Sequence, residues 1–309
     1  MYKKSPKIAL LIFFTICGTI TVYDIERRRE VFFHPLHILY MIVPPGILVG
    51  LWFLLRNKST NVQKSVIFAL TLLNLLQHML KIYVYPQYWG EPFGARSTAY
   101  NMCAFLIMAS PFIFLFGSEL WKNFITYVGT VAGIMSLCVT YWMYEPVEEQ
   151  LRFVICHGLL LITSCLPALL GIYKINWRKC WRLPFVFYTC LMILIVNDTI
   201  TYTLGIAGDV SNVTLHEFLV SENPCWAMCA PVEYPIAGKI IGFLSPAVFE
   251  GVPILWLAIP FFFIMTLGAI GFGSIFDKTR FRADFSAFGA YVKTKFNLIK
   301  AKINSKENK

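Results

Sequence analysis

Long apolar runs separated by short polar stretches repeat along this chain. Eight can be drawn: Ile8–Tyr23, Val31–Leu55, Ser65–Tyr85, Ala99–Phe116, Phe124–Tyr144, Leu151–Tyr173, Leu183–Leu204 and Val252–Ile275. A helix needs roughly 20 apolar residues to cross a hydrocarbon core ~30 Å thick. The pattern therefore predicts an all-α, polytopic transmembrane helical bundle of about eight spans. It divides into an extra N-terminal membrane helix in 1–30, a seven-helix membrane domain in 31–276 and a tail in 277–309. The first run is the shortest, and Lys3, Lys4 and Lys7 precede it as they would a signal peptide. Its far end carries Asp24-Ile25-Glu26-Arg27-Arg28-Arg29 rather than a small-residue cleavage site, so it is read as an uncleaved helix. If it does not span, the N-terminus moves outside and the rest of the topology stands.

Regularity fails between Gly205 and Gly251, where Pro224, Pro231, Pro235 and Pro246 interrupt a long external loop, 205–251. Within it Ile236–Phe249 is apolar enough for a re-entrant or surface segment. Loops of this length commonly carry function. In the tail, Phe281, Phe285, Phe288, Val292, Phe296, Ile299 and Ile303 recur at spacings of three and four, with Lys293, Lys295, Lys300 and Lys302 on other faces. That pattern predicts a basic amphipathic cytoplasmic helix in contact with the inner leaflet; docking against a soluble partner is the alternative. Gly129 and Gly133 form a GxxxG in the fifth run, and Gly268, Gly271 and Gly273 stud the eighth. Both suit close helix packing and specify no oligomer. No internal repeat of the transporter kind is visible.

Only 14% of the residues are charged, against roughly 25% in soluble domains. A net charge of +10 would suggest nucleic acid, but the placement of the charge excludes it. With both termini cytoplasmic, most of the 27 Lys and Arg fall in cytoplasmic loops and the tail, including Arg56, Lys58, Lys64, Lys122, Lys174, Arg178, Lys179 and Arg182. Glu91, Glu145, Glu148, Glu149, Asp209, Glu217, Glu222 and Glu233 fall outside. This is the asymmetry that orients a membrane protein. Arg27-Arg28-Arg29 runs against it and is offset locally by Asp24, Glu26 and Glu30. Most of the nine Cys lie in apolar runs and form no disulfide framework; Cys225 and Cys229 fall in the external loop, as a disulfide or as thiols.

Several polar residues sit inside apolar runs. Rising 1.5 Å per residue, His37, His78, Cys103, His157 and Asn197 all lie about 6–11 Å from the outer boundary. Polar groups at such depth are costly and turn to the bundle interior, so a shared layer reads as a buried site. Free Cys is a common small hydrophobe, and a thiol in apolar surroundings is inert unless a base stands beside it. His157, in Cys156-His157-Gly158, is a candidate base, because burial keeps an imidazole neutral; a structural bond across helices is the other reading. Gly158 would let another backbone approach. Asn197 could orient the imidazole or donate to an oxyanion. Asp198, the only carboxylate well inside a run, should face the bundle or be protonated. Asn74, Gln77, His78 and Lys81 form a stripe, the first three turned inward and Lys81 able to snorkel. His34 is interfacial. A zinc site built from His37, His78, His157 and Cys103 lacks any i, i+4 ligand pair, so no metal or other cofactor is expected.

These residues resemble the motifs of the YwaF family of polytopic bacterial membrane proteins. The resemblance covers about Val31 to Phe276 and lies in five motifs in order: Phe33-His34-Pro35-Leu36-His37, Tyr100-Asn101-Met102-Cys103, Val154-Ile155-Cys156-His157-Gly158-Leu159, Asn197, and Met228-Cys229-Ala230-Pro231. The family is similar to eukaryotic polytopic acyltransferases that remodel ether phospholipids with a membrane Cys as proposed nucleophile. The resemblance implies Cys103 as nucleophile, His157 as base and a bacterial cytoplasmic membrane as location. Two positions depart from it: Asn101 stands where the family shows His, and Ala104 where an Asp often follows the Cys.

The reading that results is a membrane-embedded thiol-dependent lipid acyltransferase, or acyl hydrolase, working near the outer leaflet on membrane lipids. Cys103, His157, Asn197 and Asn101 are the candidate catalytic residues; His37, His78, Gln77 and Asp198 are the candidate substrate-binding ones. The alternatives are a small-solute transporter with a His and Asp polar path, and a non-catalytic lipid-binding membrane protein.

Overall fold

The computed structural model describes residues 34–84, 97–138, 145–206, 212–222, 227–228, 243, 245 and 252–307. The first apolar run, Cys225, Cys229 and most of Ile236–Phe249 lie outside the described residues. Every secondary-structure element among the described residues is helical.

Local chemistry sets the helix ends. In α1 (Pro35–Leu55) the His34 Nδ1 accepts from the Leu36 N–H at 3.3 Å, and Pro35 fills the first helical position, where no N–H is required. His34 is exposed, as an interfacial residue would be. Helix α2 (Thr60–Val84) starts five residues before its apolar run, because Ser59 Oγ accepts from the Val62 N–H. Across the turn between them the Gln63 amide donates to the carbonyls of Leu55 and Lys58. Helix α3 (Met102–Phe116) waits for its cap, Asn101. Helix α4 (Glu119–Phe124), a π-helical turn (Ile125–Gly129) and α5 (Thr130–Cys138) succeed one another without a break. Helix α6 (Val147–Leu169) begins directly after Pro146. A 3-10 turn (Trp177–Arg182) leads into α7 (Leu183–Thr203). The short α8 (Leu215–Glu222) lays Phe218 on Tyr202 of α7, and α9 (Leu255–Phe276) and α10 (Lys278–Glu307) complete the chain.

Among the described residues four helices are long and apolar enough to cross a membrane: Pro35–Leu55, Val147–Leu169, Trp177–Thr203 and Leu255–Phe276. Their exposed surface carries Leu39, Ile42, Phe53, Ile155, Val196, Phe263 and Leu267, the surface that lipid rather than water suits. These features mark a membrane protein. Helix α2 is long, but the Asn74 to Lys81 stripe interrupts its apolar character, and α3 is apolar but only 15 residues long.

α6 is the hub. It is 83% buried over its apolar window, against 28–44% for the other three apolar helices. It packs on α1, α2, α3 and α5. The α5 contact is close: a Cβ on Gly133 would lie 2.8 Å from the Leu161 backbone nitrogen and 2.9 Å from its Cα. A Cβ on Gly158 would meet the Pro44 ring of α1 at 3.0 Å, so the neighbour that this glycine admits is a proline side chain.

At the basic end of the bundle, the Asn176 N–H donates to Asn123 Oδ1 and Lys179 pairs with Glu119. The same 3-10 turn clasps the tail. Asp284 accepts from Trp177 Nε1 at 3.0 Å and from Arg178 Nε at 2.6 Å, with Arg178 also reaching its second oxygen. Phe281 meets the Trp177 ring at 5.0 Å. Beyond the clasp Phe285, Phe288, Val292, Phe296 and Ile299 are all exposed, Phe296 at 66%. The amphipathic stripe thus starts on the bundle and runs off it.

Two outcomes are expected. Gly133→Ala should lower the unfolding midpoint in detergent, at a cost of about 1–3 kcal/mol from overpacking, because the atoms met are backbone. Gly271→Ala, which meets nothing within 4 Å, should leave the midpoint unchanged. The Arg178 guanidinium holds the Asp284 carboxyl below the usual carboxylate value. The clasp is therefore complete above about pH 4 and is lost as pH falls through the lower folded value. Limited proteolysis of the tail against pH should show release only in acid, and Asp284→Asn should release it at neutral pH.

Candidate functional site: a polar cavity at one end of the bundle

The C-terminal ends of α2 and α5 meet the N-terminal ends of α3 and α6, and between them lies a cavity of about 340 Å³. It is lined by His78 and Lys81 from α2, Tyr100, Asn101 and Cys103 at the start of α3, Ser136 from α5, and Glu149, Arg152, Cys156 and His157 from α6, with Glu145 just before α6. Three residues placed in one layer from the sequence therefore converge, Cys103, His157 and His78, and the candidate Asn101 joins them.

Cys103 is the second residue of α3. Asn101 Oδ1 accepts from the Ala104 N–H at 2.9 Å and so caps the turn that carries the thiol. The positive end of the helix dipole lies at this turn, where negative charge is favoured. Cys103 Sγ stands 3.8 Å from Ser136 Oγ. His157 meets the Phe153 carbonyl through Nδ1 at 3.0 Å. A carbonyl only accepts, so Nδ1 carries the proton, and Nε2 of the neutral ring is the acceptor nitrogen.

His78 donates through Nε2 to the Thr98 carbonyl at 3.1 Å and stacks on Tyr100. Lys81 does not snorkel. It is 1% exposed, with Nζ 4.7 Å from the centre of the Tyr100 ring, and the cavity with that ring supplies the polar surroundings that snorkelling would have sought. Arg152 is held by Glu149 one turn earlier, Nε to Oε2 at 2.6 Å and a terminal nitrogen to Oε1, and both side chains are buried. Sequence reasoning assigned Glu149 to an external loop because it began this helix at Leu151. The signal was present: Glu149, Arg152, Phe153, Cys156 and His157 keep helical spacing across the boundary.

The remaining candidates lie outside the cavity lining. His37 is fully buried and donates through Nε2 to the Leu137 carbonyl of α5 at 3.1 Å, a bond that ties α1 to α5. The Gln77 amide donates to the Arg152 carbonyl at 2.9 Å, and Asn74 to the Cys156 carbonyl at 3.2 Å, so these two fasten α2 to α6. Asn197 donates to Thr98 Oγ1 at 3.0 Å and to Asp198 Oδ1 at 3.3 Å. It reaches the site only through Thr98, the residue whose carbonyl holds His78, while the His157 ring takes its orientation from Phe153. Asp198 is 2% exposed and faces the bundle as expected.

A thiol at a helix N-terminus, a neutral imidazole and buried cations around one cavity can support nucleophilic acyl chemistry or bind a polar solute. Among the described residues no three His, Cys, Asp or Glu side chains are grouped to hold a metal ion. The chain matches no family model, no curated protein and no solved structure.

Asn101→Ala should cost about 0.5–2 kcal/mol of stability through loss of the cap, whereas Asn101→Ser should retain most of it. Thermal unfolding of both variants separates this capping role from any loss of activity.

Proposed function

We propose that the protein is a multi-pass membrane enzyme that moves lipid acyl groups by thiol catalysis. The observation that carries this reading is the meeting of Cys103 and His157 in one polar cavity. The Cys103 proton passes to His157 Nε2 and the sulfur attacks the carbonyl of a lipid ester. The tetrahedral oxyanion is met by the Asn101 amide, whose Oδ1 is the atom used in capping and whose Nδ2 is the donor. Its collapse breaks the ester C–O bond, the imidazolium returns its proton to the departing alkoxide, and a thioester remains on Cys103. A lysolipid hydroxyl, or water in a hydrolase, then gives its proton to His157, attacks the thioester and restores the thiol. Asn197 acts at one remove, through Thr98.

The topology that belongs to this reading has eight spans, with the four apolar helices joined by α2, α3, the α4–α5 rod and Ile8–Tyr23. It places the cavity near the outer leaflet of a bacterial cytoplasmic membrane and both termini in the cytoplasm. Membership of the YwaF family is part of the same proposal, supported by two of its motif regions bordering the cavity: Tyr100 to Cys103, and Cys156 to His157. The tail is assigned to the inner leaflet, supported by an exposed apolar stripe beside Lys293 and Lys295 at the basic end. A small-solute transporter is the second reading, favoured by the buried Lys81, Arg152 and Glu149 around the cavity. It predicts uptake into proteoliposomes that Asp198→Asn abolishes.

Protein purified with native lipid should carry an acyl mass on Cys103 that hydroxylamine removes. Cys103→Ser should lose that hydroxylamine-sensitive mass, and His157→Ala should slow acyl turnover by about 10²–10⁴-fold. Unchanged acyl turnover in both variants would exclude thiol catalysis.

A further inference from the structure

We propose that Lys81 and Arg152 form a phosphate-binding subsite in the wall of this cavity. Its role in catalysis rests on the acyl-transfer reading; the binding itself does not.

Lys81 and Arg152 are 1% and 7% exposed, in a protein whose surroundings penalise buried charge. They stand on different helices, α2 and α6, and both line the cavity that holds Cys103. The helices are pinned to each other beside them, by Gln77 to the Arg152 carbonyl and by Asn74 to the Cys156 carbonyl. Each cation is also aimed. Glu149 grips Arg152 along one edge of its guanidinium, taking two of the five N–H donors of a planar fork suited to phosphate. Tyr100, stacked on His78 with an interplanar angle of 10°, presents its face to the Lys81 ammonium. Both cations line the same cavity as His78 and His157, so the four groups surround one space.

Two positioned cations bordering a cavity of ligand size fit an oxyanion, and phosphate has oxygens enough to accept a fork and a point charge together. A glycerophospholipid carries its phosphate a few bonds from its acyl ester. Phosphate held by Lys81 and Arg152 therefore sets the ester carbonyl toward Cys103 on the same cavity wall. The phosphate could belong to such a lipid or to a soluble phosphate ester; the chemistry of recognition is shared.

The test uses the full chain in detergent and native mass spectrometry. The ligands are a lysophosphatidic acid, the monoacylglycerol of the same chain, and glycerol 3-phosphate. The lysophospholipid should bind at least about tenfold tighter than the monoacylglycerol, as charge-assisted bonds to phosphate require. Lys81→Gln should erase most of that preference, Lys81→Arg should restore it, and Cys103→Ala should leave it intact. Displacement by glycerol 3-phosphate at similar concentration assigns the site to a soluble ester, and failure to displace assigns it to the lipid. Equal binding of the two lipids by the unmodified protein overturns the proposal, whether or not Lys81→Gln folds. A preference that survives in Lys81→Gln overturns it as well. If Cys103 carries no thioester while the phosphate preference stands, the acyl-transfer reading fails and the subsite remains. If the thioester forms and the preference is absent, the subsite alone fails.

Discussion

A helix buried along nearly its whole length cannot leave a polar group to the solvent, and α6 is such a helix. Its polar groups must be met by each other or by neighbouring helices, because an unmet one in an apolar interior costs several kcal/mol. Glu149 answers Arg152 within the helix. Phe153 answers His157 one turn on. Asn74 and Gln77 of α2 bond two of its carbonyls from outside. Gly133 and Gly158 let α5 and α1 pack directly against it. The position of α2, and with it His78 and Lys81, is set by satisfying α6.

The cavity is what this packing leaves at the acidic end. Helix α3 starts late because Asn101 caps it, so the chain before it, from Ser97 to Tyr100, lies across the ends of α2 and α7. Thr98 serves both neighbours, its carbonyl holding His78 and its hydroxyl accepting from Asn197. The same late start puts Cys103 in the first turn of a capped helix. One asparagine thus fixes the backbone, the depth of the thiol and part of the cavity wall.

The opposite end is built from surface chemistry. Lys179 with Glu119, and Arg178 with Asp284, are partly exposed pairs of modest worth one by one. Their effect is orientation: with Phe281 against Trp177, they set the roll of α10 and so the direction in which its apolar stripe faces.

By itself the sequence determined the helical class, the membrane setting and the chemistry available. Apolar runs of near-spanning length and sparse charge leave few other ways to satisfy the backbone, and these are local properties of the chain. The inward stripe on α2 and the grouping of Cys103, His157 and His78 around one cavity were legible for the same reason, since helical rise converts position into height. Depth does not give azimuth, however. His37 and Asn197 belong to the predicted layer and lie outside the cavity lining, while Glu149, read as a loop charge, and Lys81, read as able to snorkel, line it together with Arg152. Only tertiary packing decides which side of each helix meets which neighbour. Here it was decided by two glycine contacts, a late helix cap and the hydrogen bonds that neighbouring helices make to one buried helix.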